Sequence, residues 1–150
     1  MALSVQNRQR VLAISTAALK RRLQRALHYL RCADCEVNVV LVGERAMRRL
    51  NRAYRHRDAP TNVLAFPQEG EPPAGPRVLG DVVVSLPTAA REAQAAGQSL
   101  LDYVTYLAIH GLLHLLGYDH ERSPQEHRRM RRRERAVLAY VLADGGTRGG

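Results

Sequence analysis

The chain has 150 residues, 45% of them hydrophobic and 25% charged, with a formal charge of +9. That length fits one domain able to bury its own core and excludes a small scaffold that depends on disulfides. The excess of 23 Lys and Arg over 14 Asp and Glu favours polyanionic partners, through counterion release on phosphate contact.

Residues 3–8 read as a short edge strand. From Ser15 to Leu30 the pattern is helical, with Leu19, Leu23, Ala26, Leu27 and Leu30 at steps of three and four. The Cys32-Ala-Asp-Cys35 pair follows. It lacks the second pair of a four-sulfur site and the strand-then-helix setting of a redox motif, so incidental thiols in a reducing compartment are expected. Glu36–Val42 is a β-branched run ended by Gly43, a buried strand. Glu44–Tyr54 is helical again, with Met47, Leu50, Asn51 and Tyr54 on one stripe. Arg45, Arg48, Arg49 and Arg52 form a second stripe, a basic ridge that suits either RNA or plain solvent.

Asp58-Ala-Pro-Thr61 breaks that helix, and Thr61–Phe66 reads as a strand. Gln68–Arg77, with three Pro and two Gly, is a surface loop of a length that also suits a flap. Leu79–Ser85 is a strand and Pro87–Ala96 an Ala-rich helix closed by Gly97. Leu100–Leu116 is the most apolar helix and stops at Gly117. Ser123-Pro124 opens a last helix, with Glu126 completing the capping pattern. Its expected end is near Leu142, leaving 143–150 as a disordered tail. Met130, Val137, Leu138 and Val141 mark its core side, while six arginines crowd residues 127–135 and could grip phosphates, face an acidic protein or simply be solvated. Strands and helices mix without strict alternation, which indicates an α+β domain spanning 1–142. The first ten residues lack the apolar segment of a signal peptide, and no apolar run approaches the roughly 20 residues of a membrane span. A cytoplasmic protein without membrane contact is expected.

The chemistry is concentrated in His110-Gly-Leu-Leu-His114-Leu-Leu-Gly117-Tyr-Asp-His120, which holds three of the six histidines. His110 and His114 lie one turn apart on a helix, separated by about 40° around its axis. Two imidazoles so placed can share one tetrahedral ion. Gly117 lets the chain leave the helix and return His120 as a third ligand. Three protein ligands leave a fourth position for water, the open coordination of a catalytic zinc rather than a structural one. A zinc-bound water has a pKa near about 7, which makes hydroxide accessible at neutral pH. Asp119 stands beside the last ligand and is a candidate to orient a ligand from the second coordination sphere, or else a turn residue.

The spacing matches the metzincin peptidase signature, with one departure. Those peptidases carry Glu after the first histidine as general base; Gly111 stands there instead. A metzincin-like zinc peptidase is therefore the alternative reading, and a non-catalytic assembly factor with structural zinc is a third.

Three blocks together, Leu50-Asn51-Arg52-Ala53-Tyr54-Arg55-His56-Arg57-Asp58-Ala59-Pro60-Thr61-Asn62-Val63-Leu64-Ala65-Phe66-Pro67, then Leu79-Gly80-Asp81, then the histidine segment, resemble the YbeY family of metal-dependent endoribonucleases. The resemblance covers about residues 36–142, with Ala65 where that family usually has Ser. It implies a mixed four-stranded sheet flanked by helices, with a zincin-like helix and one Zn2+ ion on His110, His114 and His120. It assigns catalytic roles to Arg55 and His110, Arg55 being suited to hold a phosphate and stabilise developing charge. It implies a single-strand-specific endoribonuclease acting on ribosomal RNA, in 16S 3'-end maturation and late ribosome quality control, with the small ribosomal subunit and its associated factors as partners.

Overall fold

A computed structural model describes residues 3–55, 61–68, 75, 77–118 and 123–148, with side chains through 143 in the last segment. The elements are β1 (Leu3–Asn7), α1 (Thr16–Tyr29), β2 (Glu36–Val42), α2 (Glu44–Arg55), β3 (Val63–Pro67), β4 (Val78–Ser85), α3 (Leu86–Ala96), α4 (Leu100–Leu115) and α5 (Pro124–Arg148). The strands form one mixed sheet in the order β1-β2-β4-β3, with β1, β2 and β4 parallel and β3 antiparallel to β4. The fold is α+β, as expected.

Alternation along β2 assigns its side chains to two layers. Val37, Val39 and Leu41 join Val82 and Val84 of β4 in the main core, against Leu19 and Leu23 of α1, Ile109, Leu112 and Leu113 of α4, and Met130 and Val137 of α5. Val40 and Val42 point the other way, where with Leu64 and Val83 they pack on Met47 of α2. Helices cover both faces, which is why β2 and β4 read as continuous apolar runs rather than alternating ones. Each fully buried Leu or Ile contributes about 1.5–3 kcal/mol, so α4, with Leu107, Ile109, Leu112, Leu113 and Leu115 buried, is the most firmly held helix.

Gly80 is where β3 and β2 are both fitted to β4. It sits at φ 131°, and a β-carbon there would lie 2.1 Å from the Phe66 carbonyl oxygen. On its other side the pairing slips, with Glu36 opposite Val78 but Val37 opposite Gly80. Only glycine fits a position that takes positive φ under a neighbouring backbone.

The last helix runs farther than its sequence pattern suggests. Its backbone is helical to Arg148, past the expected end near Leu142, although Val141 is the last buried residue among the described side chains. Propagation adds a hydrogen bond per residue once a helix is nucleated and packed, and here it carries the backbone across Gly145 and Gly146.

Candidate metal centre

Local chemistry sets both ends of α4. Ser99 caps its start by accepting a hydrogen bond from the Asp102 backbone N–H at 3.1 Å. At its end the Tyr118 N–H donates to the Leu113 carbonyl and the Gly117 N–H to the His114 carbonyl, both at 3.0 Å. Gly117 has φ 101°. These paired bonds with a left-handed glycine form a Schellman turn, so the chain leaves the helix at the residue expected to release it. His120 and Asp119 lie outside the described residues, as do His56, Asp58 and most of the 68–77 loop.

His110 and His114 meet as their spacing requires. Their Nε2 atoms are 3.2 Å apart and their rings meet edge to face. Two lone pairs at that separation repel unless a proton or a cation lies between them. Two imidazole nitrogens on one tetrahedral ion, each about 2.0–2.1 Å from it, stand about 3.3 Å apart. The pair therefore fits a shared ion. Among the described residues no group of three His, Cys, Asp or Glu side chains is assembled for a metal.

The other nitrogen of His110 is anchored. Its Nδ1 is 2.5 Å from Glu134 Oε2, and Glu134, on α5, is only 6% exposed. A carboxylate there accepts the Nδ1–H, fixes the ring, and turns the Nε2 lone pair toward His114. The sequence pattern alone points to Asp119 for this role, not to Glu134. A signal was present: Glu134 is the one acid within the arginine run 127–135, and it falls on the core stripe of Met130, Val137 and Val141. An acid on a buried stripe needs a partner, because an unpaired buried charge is costly. Tyr106 lies one turn before His110, and burial first, then the Glu134 charge, push its hydroxyl pKa up, so it stays a proton donor.

Arg55 is the exposed last residue of α2, a helix whose earlier Met47 packs on the sheet face opposite the one that carries α4. Among the described hydrogen bonds of His110 and His114, the partners are Glu134 and each other. The neighbour of Arg55, Tyr54, meets Phe66 of β3 edge-on at 5.2 Å, which sets the end of α2 against the sheet. Asn62 donates to Glu92, which also accepts from Tyr103, so it fastens the entry to β3 rather than carrying chemistry.

The arginines divide by task. Arg22 bonds Asp102 at 2.8 Å and Thr105 at 3.2 Å, joining α1 to α4. Arg25 lies over the Tyr140 ring and Arg133 over Tyr29, and those tyrosines touch each other, so α1 and α5 are clamped by a pair of rings flanked by two cations. Arg45, Arg48, Arg49 and Arg52 are an exposed ridge on α2. Cys32 and Cys35 are buried free thiols within the main core.

A histidine pair on a buried helix, braced by a buried carboxylate, fits the framework of a metal-dependent enzyme. The family model described as Endoribonuclease YbeY matches residues 4–141. An Endoribonuclease YbeY from Geobacter metallireducens is 45% identical over 148 residues, covering 97% of this chain and 99% of its own. One from an Anaeromyxobacter species is 51% identical over 140 residues, covering 87% and 71%. The solution structure of TM1509 from Thermotoga maritima superposes with a TM-score of 0.67 at 25% identity, covering 97% of this chain and 93% of that one. The chain belongs to the endoribonuclease YbeY family.

Proposed function

We propose that the chain is a metal-dependent endoribonuclease that hydrolyses phosphodiester bonds within single-stranded RNA. The observation that carries this reading is the His110–His114 pair with its nitrogens 3.2 Å apart and Glu134 behind it, in a chain of this family. His110, His114 and His120 would hold one ion, zinc being the best match to an all-imidazole set. A bound zinc supplies Lewis acidity toward a phosphate oxygen and acidifies water. The residues of the chain do the rest. Glu134 keeps His110 in the tautomer whose Nε2 is free of hydrogen. Arg55 binds the scissile phosphate and stabilises the charge that develops on it. Asp119 is the candidate to orient His120 or the attacking water.

The substrate is ribosomal RNA at the 3' end of the small-subunit 16S species, with the small subunit and its associated factors as partners and late ribosome quality control as the setting. The charge of +9 supports a polyanionic substrate. Among the described residues no helix is long and apolar enough to cross a membrane; the proposed setting is the cytoplasm. The unit is the single domain 1–142.

The test is cleavage of single-stranded RNA and of casein by purified protein, with and without chelator and as His114→Ala. RNA cleavage abolished by chelator and by the substitution is expected. RNA cleavage surviving in the variant refutes the site; casein cleavage without RNA cleavage favours the peptidase.

A further inference from the structure

The six arginines of residues 127–135 do not share one face. Arg133 lies 5.2 Å from the Tyr29 ring and Arg129 lies 5.2 Å from the Tyr118 ring. Arg131 and Arg135 instead line a groove of about 410 Å³ between α4 and α5, together with Tyr106, His110, His127 and Glu134. His127, Arg131 and Arg135 are successive i, i+4 positions, so they form one straight row with a rise of about 6 Å per step. All three are exposed. His110, which faces His114, lines the same groove, and the acid in the groove, Glu134, is already bonded to it.

From this arrangement we infer that the α4–α5 groove is the RNA-entry track: Arg131 and Arg135, with His127, bind successive phosphates of a single strand and deliver it to His110. The inference rests on the endoribonuclease reading and sharpens it, because it chooses between two basic surfaces. The α2 ridge carries more arginines, four against two, but α2 packs on the other face of the sheet from α4. A strand on that ridge would have to cross the sheet edge to reach the histidine pair, whereas the groove is lined by His110 itself, one member of that pair. Guanidinium groups recognise phosphate without reading the base, so the track is indifferent to sequence. Tyr106, on the same floor, is an aromatic ring placed where a base of that strand can stack.

The test is binding of a fluorescent unstructured single-stranded RNA to the full chain in excess chelator, followed by anisotropy across a salt series. For single strands each lost phosphate contact lowers the slope of log K against log salt by about 0.7. The double variant Arg131→Gln, Arg135→Gln is expected to bind at least about tenfold more weakly, with a slope smaller by about 1.4, and with an unchanged melting temperature. The charge-keeping pair Arg131→Lys, Arg135→Lys retains the salt slope. Arg48→Gln with Arg52→Gln has the smaller effect. RNA binding by the first variant within twofold of the parent, or a greater loss from the α2 pair, overturns the inference and leaves the row to an acidic protein surface. Because the readout is binding in chelator, it stands apart from whether the loaded protein cleaves RNA, on which the proposed function is judged.

Discussion

Gly111 on α4 backs directly onto Val82 of β4: a β-carbon at position 111 would stand 2.6 Å from Val82 Cγ1 and 3.1 Å from Cγ2. This closes the question raised by the missing peptidase glutamate. The residue after the first histidine faces the sheet, so no carboxylate fits there, and the close approach of α4 brings His110 to its place. Gly111→Ala is expected to destabilise the fold, since overpacking costs about 1–3 kcal/mol and the better helix propensity of Ala offsets at most about 1 kcal/mol. Gly111→Glu, which adds a charge to the same contact, should fail to fold rather than gain peptidase activity. Urea unfolding of the Ala variant and solubility of the Glu variant check this; a Glu variant that folds with parental stability would contradict the packing.

Glu134 gives the second prediction. Loss of an orienting carboxylate behind a histidine ligand typically weakens metal binding by about 10–100-fold. Glu134→Ala should show that loss in competition with a chromophoric chelator. Glu134→Gln, which keeps an acceptor oxygen but no charge, should fall between it and the parent. Equal zinc affinity in all three would mean that Glu134 serves only to join α4 to α5.

The difference between what the sequence disclosed and what needed coordinates follows from range. Local signals were enough for α1, whose Ser15 side chain accepts from the Ala18 N–H, for β2, and for the Gly117 turn, because caps, periodicity and positive φ are decided within a few residues. The pairing of His110 with His114 was legible for the same reason. Glu134 is 24 residues from its partner, and only the packing of α5 on α4 brings them together. Gly80 likewise stood out as part of a motif, yet the demand for glycine comes from Phe66 on another strand. The arginines were the least legible: charge alone cannot tell Arg133, lying over a tyrosine, from Arg131, lining a groove.

The thiols give a prediction with a pH sign. Burial, and then a hydrogen bond with Cys32, push the Cys35 pKa from an ordinary 9.0 up to about 11. The folded chain therefore holds the Cys35 proton more tightly than the unfolded chain. The associated stability is fully present below the unfolded value and is lost as pH rises from about 9 toward 11. At pH 8 the native protein should react with iodoacetamide far more slowly than the urea-unfolded chain, since only thiolate is nucleophilic. In unfolding experiments the stability gap between the parent and Cys35→Ala should narrow from pH 8 to pH 10.5. Rapid labelling of Cys35 in the native state would count against its burial.

Arg55 provides the sharpest separation of chemistry from folding. It is exposed at the end of α2, and the neighbouring contact that sets α2 on β3 belongs to Tyr54 and Phe66. Removing its guanidinium should leave the melting temperature within a degree or so, because exposed substitutions away from packed features stay within about 0.5 kcal/mol. Zinc content should also be unchanged, since the described hydrogen-bond partners of His110 and His114 are Glu134 and each other. Loss of a group that stabilises transition-state charge costs about 10²–10³ in rate, and Arg55→Ala should show a loss of that order in RNA cleavage. Arg55→Lys should recover only part of it, because a point charge cannot reproduce two parallel N–H bonds to a phosphate. Measured under saturating RNA, the defect should fall on kcat more than on KM, as expected for an interaction stronger in the transition state than in the bound substrate. Parental cleavage by Arg55→Ala would remove Arg55 from the chemistry and return it to the surface of α2.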